Sequence, residues 1–218
     1  MIYPTFKEEK KLWKKGYRKI ACVDEAGRGP LAGPVVACAV AILRFPLAKI
    51  SFPELVRDSK HLSELQRERV YPFLTHHPAI AWGVGRVGPN GIDALNIFQA
   101  NQLAMKRAVQ ALERKLGKRV EFLIVDGNMK MRLPLPQKPI VKADQKVFSC
   151  AAASIIAKVR RDRLMRRYHV KYPVYGFDRH KGYGTKLHFA TLAQHGPCKI
   201  HRKSFFPVKL KFQSLNAK

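Results

Sequence analysis

The stretch Ile20–Val36, I-A-C-V-D-E-A-G-R-G-P-L-A-G-P-V-V, decides how the rest of the chain is read. A short apolar run, Ile20 to Val23, delivers two adjacent carboxylates, Asp24 and Glu25. A loop with Gly27, Gly29, Pro30, Gly33 and Pro34 follows, with Arg28 in its middle, and a second apolar run covers Val35 to Leu43. The pattern predicts strand, acidic loop, strand, in effect a long hairpin. Adjacent side chains on a strand point to opposite faces, so Asp24 and Glu25 share one site only if the strand ends or bends there. The glycines that follow allow a bend. They read G-x-G-x-x-x-G, one position off the dinucleotide fingerprint. Pro30 and Pro34 would also disturb a helix start, so a nucleotide-binding turn is set aside.

The surrounding chain is strongly basic. Lys and Arg outnumber Asp and Glu 42 to 15, a net charge of +27. That excess points to a polyanion, with nucleic acid the default partner. A tight acidic pair would repel such a ligand unless it holds Mg²⁺ or Mn²⁺, which then meets phosphate. The 218 residues with 46% hydrophobic content suit one α/β domain, residues 1–208. Its part from about residue 170 is expected to be helical and basic, and residues 209–218 form a basic tail. Cys22, Cys38, Cys150 and Cys198 contain no C-x-x-C pair, which favours buried free thiols in a reducing, cytoplasmic setting. There is no secretory pattern, and Pro30–Leu43, the most apolar stretch, is too short to span a bilayer.

In chain order, a short helix is expected before Gly16, then strands at roughly 19–24 and 35–43. A helix over 63–75 follows, with Ser63 and Gln66 in capping-box positions. A strand over 79–87 carries two glycines that should weaken or bend it. A long helix covers 92–116 and stops at Gly117. Val120–Val125 is a nearly continuous apolar strand ending in Asp126-Gly127-Asn128, as suits a strand covered on both faces. Ile140-Val141 is a short strand before Asp144, and a second long helix spans 146–171. Residues 177–185 read as a loop, and 187–195 as a short helix.

Carboxylates therefore collect at strand ends and helix starts: Asp24 with Glu25, Asp126, and Asp144. Open sheets gather ligands beyond the carboxyl ends of their strands. Two like charges ~4 Å apart repel by about 4 kcal/mol at an effective dielectric near 20, so such a cluster calls for cations. Paired divalent ions would suit phosphodiester hydrolysis. Any one of these aspartates alone reads as a cap or turn residue; the four together tilt the balance.

The motifs V-D-E-A-G-R-G-P-L-A-G-P-V, D-S-K-x-L-S at 58–63, V-D-G-N at 125–128, A-A-A-S-I-I-A-K-V-x-R-D-R, Y-P-x-Y-G-F, H-K-G-Y-G-T-x-x-H and H-R-x-S-F occur in this order. Together they resemble ribonuclease HII, the bacterial type 2 ribonuclease H, from about residue 17 to about 208. The resemblance implies an RNase H-like fold, a mixed central sheet flanked by helices. It implies a metal-dependent endonuclease that cuts the RNA strand of RNA–DNA hybrids. It also implies nicking on the 5′ side of ribonucleotides embedded in duplex DNA, leaving 3′-hydroxyl and 5′-phosphate ends, by a monomer. By resemblance, Asp24, Glu25, Asp126 and Asp144 are the catalytic, metal-holding carboxylates. Gly27, Arg28 and Gly29 match the ribonucleotide-sensing motif, and Tyr183 matches the junction-reading tyrosine. Glycines let the backbone approach the 2′-hydroxyl, the group that separates RNA from DNA. Arg28, Lys60, Lys146, Lys158 and Lys181 are candidate phosphate contacts, each also readable as a solvated charge.

Gly91 stands where the family usually has an acidic residue, and Gln145–Phe148 is bulkier than usual; neither change removes a proposed ligand. His195, Cys198 and His201 read H-x-x-C-x-x-H, but a structural zinc needs four ligands, so ordinary packing roles are expected. The rival readings are another nuclease of the same fold, such as a junction resolvase, and a non-catalytic nucleic-acid-binding protein.

Overall fold

The computed structural model describes residues 3–43, 56 and 59–210. The predicted hairpin is present as β1 (Ile20–Ala26) and β2 (Val35–Ile42), antiparallel, with Asp24 opposite Cys38 and Glu25 opposite Ala37. β3 (Ile80–Val87) pairs antiparallel with β2. On the other side of β1, β4 (Phe122–Asp126) pairs parallel with β1, and β5 (Gln137–Ile140) parallel with β4. The result is one mixed sheet of order β3-β2-β1-β4-β5. β1 is its middle strand, and it is the strand that carries Asp24.

Both faces of the sheet are covered, which is why β2 (V-V-A-C-A-V-A-I) is buried along its whole length. On one face Ala37, Ala39 and Ala41 of β2 meet α3 (Pro89–Leu116). Small residues let this helix lie close. Gly83 and Gly85 of β3 take that to its limit. A Cβ at 83 would lie 2.2 Å from the Leu112 backbone nitrogen, and one at 85 would lie 2.1 Å from the Ala104 carbonyl oxygen. β3 stays paired with β2 along its whole length, and the two glycines are the seat of the helix. α3 is also not continuous: Asn96 leaves helical geometry at φ 65°, and its side chain accepts from the Gln99 N–H, capping the second segment.

The opposite face carries α5 (Phe148–Lys171), with α1 (Lys7–Lys14) and α2 (Glu64–His76) packed around it. The Ser63–Gln66 capping box forms as the spacing predicts. α5 begins two residues later than expected because 143–146 is a separate turn of helix, α4 (Ala143–Lys146), preceded by Lys142 in the left-handed region. Within the expected loop at 177–185 lies another single turn, α6 (Phe177–His180), and α7 (Lys186–His195) follows.

One expectation is overturned. Cys22 on β1 and Cys150 on α5 are joined by a disulfide, their Cα atoms 5.0 Å apart; Cys38 and Cys198 are free. The two partners are far apart in sequence, and only the packing of α5 on β1 brings them together.

Candidate active site

Asp24 is the fifth residue of β1 and is buried. Asp126 ends the parallel neighbour β4, so both carboxylates leave the sheet at the same edge. Asp144 is the second residue of α4, also buried. One carboxylate oxygen from each of Asp24, Asp126 and Asp144 lies within 4.8 Å of the other two. The turn bearing Asp144 is tied down locally. Asp126 Oδ1 accepts from the Ala143 N–H at 2.6 Å, and Asp24 Oδ1 accepts from the Glu25 N–H at 2.7 Å.

Burial holds the Asp24 carboxyl well above the usual carboxylate range, and the nearby charges of Glu25, Asp126 and Asp144 push it further the same way. Three hard oxygen ligands at this spacing suit a divalent cation of the Mg²⁺ class, and the raised Asp24 is the strain such an ion would relieve.

Glu25 lies outside this three-oxygen set. β1 continues through Ala26 without the bend that would bring the neighbours together. Glu25 Oε1 instead meets Arg28 at 3.4 Å, and the carboxylate also bonds to Asn101 of α3. Burial raises it; Arg28 and Asn101 pull it back down, and Asp126 adds to the rise. Asn101, buried in α3, is a site neighbour that no motif singles out.

Gly27 is buried at φ 93°, while Arg28 and Gly29 are exposed. Tyr183 is exposed, and Lys158 and Arg161 each stand 5.7 Å from its ring centre. The 27–34 loop and the Tyr183 loop touch directly, through Leu31 N–H to Gly182 O at 2.8 Å.

The basic side chains divide. Lys146 is exposed on α4 and donates to the Val141 carbonyl at 2.8 Å. Lys181 is buried and turned away from solvent, pairing with Glu64 at 3.0 Å and with the Asp178 carbonyl. Lys158 pairs with Asp162 at 2.9 Å. In the arginine-rich half of α5, Arg163 and Arg166 are ion-paired to Glu68 and Glu64 of α2, so this part of the basic stripe joins two helices. The side chain of Lys60, with Arg57, Asp58 and residues 211–218 of the tail, lies outside the described residues. Cys198 contacts His201, which in turn meets His188, itself stacked on His180; His195 packs on Tyr175. Among the described residues, the three aspartates are the group spaced to hold a metal.

No helix of the described residues is long and apolar enough to cross a membrane. Residues 21–210 match the family model described as Ribonuclease HII. Ribonuclease HII of Dehalococcoides mccartyi is 49% identical over 211 residues, covering 97% of both chains. That of Desulfitobacterium hafniense is 50% identical over 208 residues, covering 95% of this chain and 76% of that protein. The crystal structure of the ribonuclease H2 from Pyrococcus horikoshii OT3 superposes with a TM-score of 0.69 at 26% identity, covering 91% of this chain and 99% of that one. The fold is thus RNase H-like, and the chain belongs to the ribonuclease HII family of RNase H endoribonucleases.

Proposed function

We propose that the protein nicks duplex DNA on the 5′ side of embedded ribonucleotides and cuts the RNA strand of RNA–DNA hybrids, leaving 3′-hydroxyl and 5′-phosphate ends. The observation that carries this reading is the convergence of Asp24, Asp126 and Asp144 on one point of an otherwise strongly basic protein. In this reading these three aspartates would hold Mg²⁺ or Mn²⁺, which would supply polarisation of the phosphoryl oxygens and a more acidic water for attack. Glu25 completes the carboxylate set by releasing Arg28 once substrate phosphate competes for the guanidinium.

The chain's own groups do the rest. The exposed crest Arg28-Gly29, beside buried Gly27, lets backbone approach the 2′-hydroxyl, with Arg28 free to turn to phosphate. The exposed ring of Tyr183 lies against the sugar on the deoxyribose side of the junction, where an added hydroxyl would interfere. Lys146 reaches backbone phosphate; Lys181, held by Glu64, contributes by fixing the Tyr183 loop.

The test is cleavage of a DNA duplex carrying one internal ribonucleotide, beside a long RNA–DNA hybrid and an all-DNA control. A single 5′-side nick, abolished by EDTA, is expected. Cleavage of the hybrid alone would remove the junction-reading role of Tyr183 while leaving the carboxylates in place. Binding without cleavage of either would overturn the reading.

A further inference from the structure

Two guanidinium groups are buried beneath the loops that meet the substrate in the reading above. Arg161 of α5 and Arg202, beyond α7, are both fully buried. Arg161 donates from Nε to the Pro34 carbonyl (3.0 Å), from one Nη to that of Lys181 (3.0 Å), and from the other to that of Ala32 (3.2 Å). Arg202 donates to the carbonyls of Gly33 (3.0 Å), Arg28 (2.7 Å) and Gly27 (2.5 Å). Among the described residues, neither has a carboxylate within ion-pair distance. A buried cation without a counter-ion is costly unless its donors are satisfied. Here backbone oxygens satisfy them, in the forked geometry that only guanidinium offers.

This is more than an ordinary turn requires. The carbonyls of Gly27, Arg28, Ala32, Gly33 and Pro34 are all drawn inward, leaving Arg28 and Gly29 as an exposed crest. Arg161 hydrogen-bonds to both loops at once. It holds Ala32 and Pro34 on one, Lys181 on the other, and stands under the Tyr183 ring. It also explains Gly27, because a Cβ there would lie 2.0 Å from Arg161 Nε. Arg202 is itself fixed from outside. Its N–H donates to the Leu31 carbonyl at 2.8 Å, and Asp93 of α3 accepts from the next two N–H groups, those of Lys203 and Ser204.

We propose that Arg161 and Arg202 are positioning residues that join the Gly27–Gly29 crest and Tyr183 into one rigid reader of the ribonucleotide–deoxyribonucleotide step. Two independently moving loops would not need a shared guanidinium. The proposal rests on the junction-reading function of these loops.

The test compares kcat and KM on the single-ribonucleotide duplex and on the long hybrid for wild type, R161K, R202K, Y183A and the R161K/Y183A double variant. Wild type failing to nick the single-ribonucleotide duplex would remove the functional reading itself, before any variant is considered. With that nicking present, R161K should lower the ratio of kcat/KM on the single ribonucleotide to that on the hybrid by about 10-fold, the scale of a lost specificity contact. The loss should fall mainly on kcat. The double variant should discriminate no worse than the poorer single variant, because Arg161 acts through Tyr183. Equal losses on both substrates, or independent multiplication of the two effects, would overturn the proposal. Should R161K fail to fold, R202K carries the same substrate comparison. Should neither fold, amide hydrogen exchange of the wild type decides. A common opening rate for 27–34 and 181–184 is expected, and unrelated rates overturn the coupling.

Discussion

The carboxylate of Asp126 accepts a hydrogen bond from the main-chain N–H of Ala143 at 2.6 Å, so the end of β4 holds the turn that presents Asp144. One aspartate thus shapes the placement of another. Asp126→Asn keeps an oxygen that can accept this bond but loses the charge. We expect it to fold like wild type and to lose cleavage by on the order of 10³-fold, as removal of several kcal/mol of cation-centred stabilisation implies. Asp126→Ala also loses the bond, and its unfolding free energy should fall by about 1 kcal/mol more. Matched denaturant melts and initial rates check both.

Divalent ions should stabilise the fold. Asp24 is buried with its carboxyl raised by desolvation and by three neighbouring carboxylates. Binding of Mg²⁺ or Mn²⁺ to the folded state alone adds about 2.7 kcal/mol at 100 times Kd. The melting temperature should rise on titration of either ion and return with EDTA. Asp24→Asn should be more stable than wild type without metal and respond less to it. A variant with the full metal response would remove Asp24 from the ligand set.

The histidine cluster sets a lower pH limit. His188 and His201 are linked at 3.1 Å, and His188 stacks on His180. Burial pushes His188 and His201 down to about 4. A histidine whose folded pKa lies below its unfolded value near 6.5 stabilises the fold above 6.5. That stability is lost as pH falls from 6.5 towards 4. Thermal melts should therefore drop between pH 6.5 and 4.5, and His201→Gln should show a shallower drop. Parallel curves would show that other groups set the acid limit.

Glu9 should tolerate loss of charge better than loss of shape. It is buried on α1, where Oε1 accepts from the Ser149 N–H (3.1 Å) and hydroxyl (2.8 Å) at the start of α5, and desolvation raises its pKa. Glu9→Gln can keep these bonds and should change stability little. Glu9→Ala strands two buried donors and should cost about 1–3 kcal/mol. Urea midpoints at pH 7 separate the two.

Gly83 and Gly85 admit no side chain, because a Cβ at either would overlap the α3 backbone rather than a movable side chain. Either alanine variant should lose about 1–3 kcal/mol or more, the range for overpacking. Near-wild-type melting of both would show that α3 can shift away from the sheet.

The hairpin and the carboxylates at the strand ends were legible because apolar runs and turn residues act over short spans. Ser63 with Gln66 shows the same thing at one helix end. The mixed sheet, by contrast, was expected only from the family resemblance. What escaped depends on partners distant in sequence. The Cys22–Cys150 link needs α5 seated on β1. The neutralised fate of Arg163 and Arg166 needs α2 alongside. The Glu25–Arg28 and Glu25–Asn101 contacts need the loop and α3 in place, and β1 keeps its register with β2 through Ala26, which a glycine two residues on does not reveal. Arg161 left a faint signal: Ala157, Arg161 and Met165 recur every four residues on the buried side of α5, placing an arginine where the period calls for an apolar residue. Arg202, in an irregular segment, left no such period.

The three aspartates come from the middle strand, from its parallel neighbour, and from a one-turn helix formed only after both. A ribosome that has released β1 but not α4 carries a chain with the first aspartate and no cluster, so a chain that stops before Asp144 lacks the set on which the proposed hydrolysis depends.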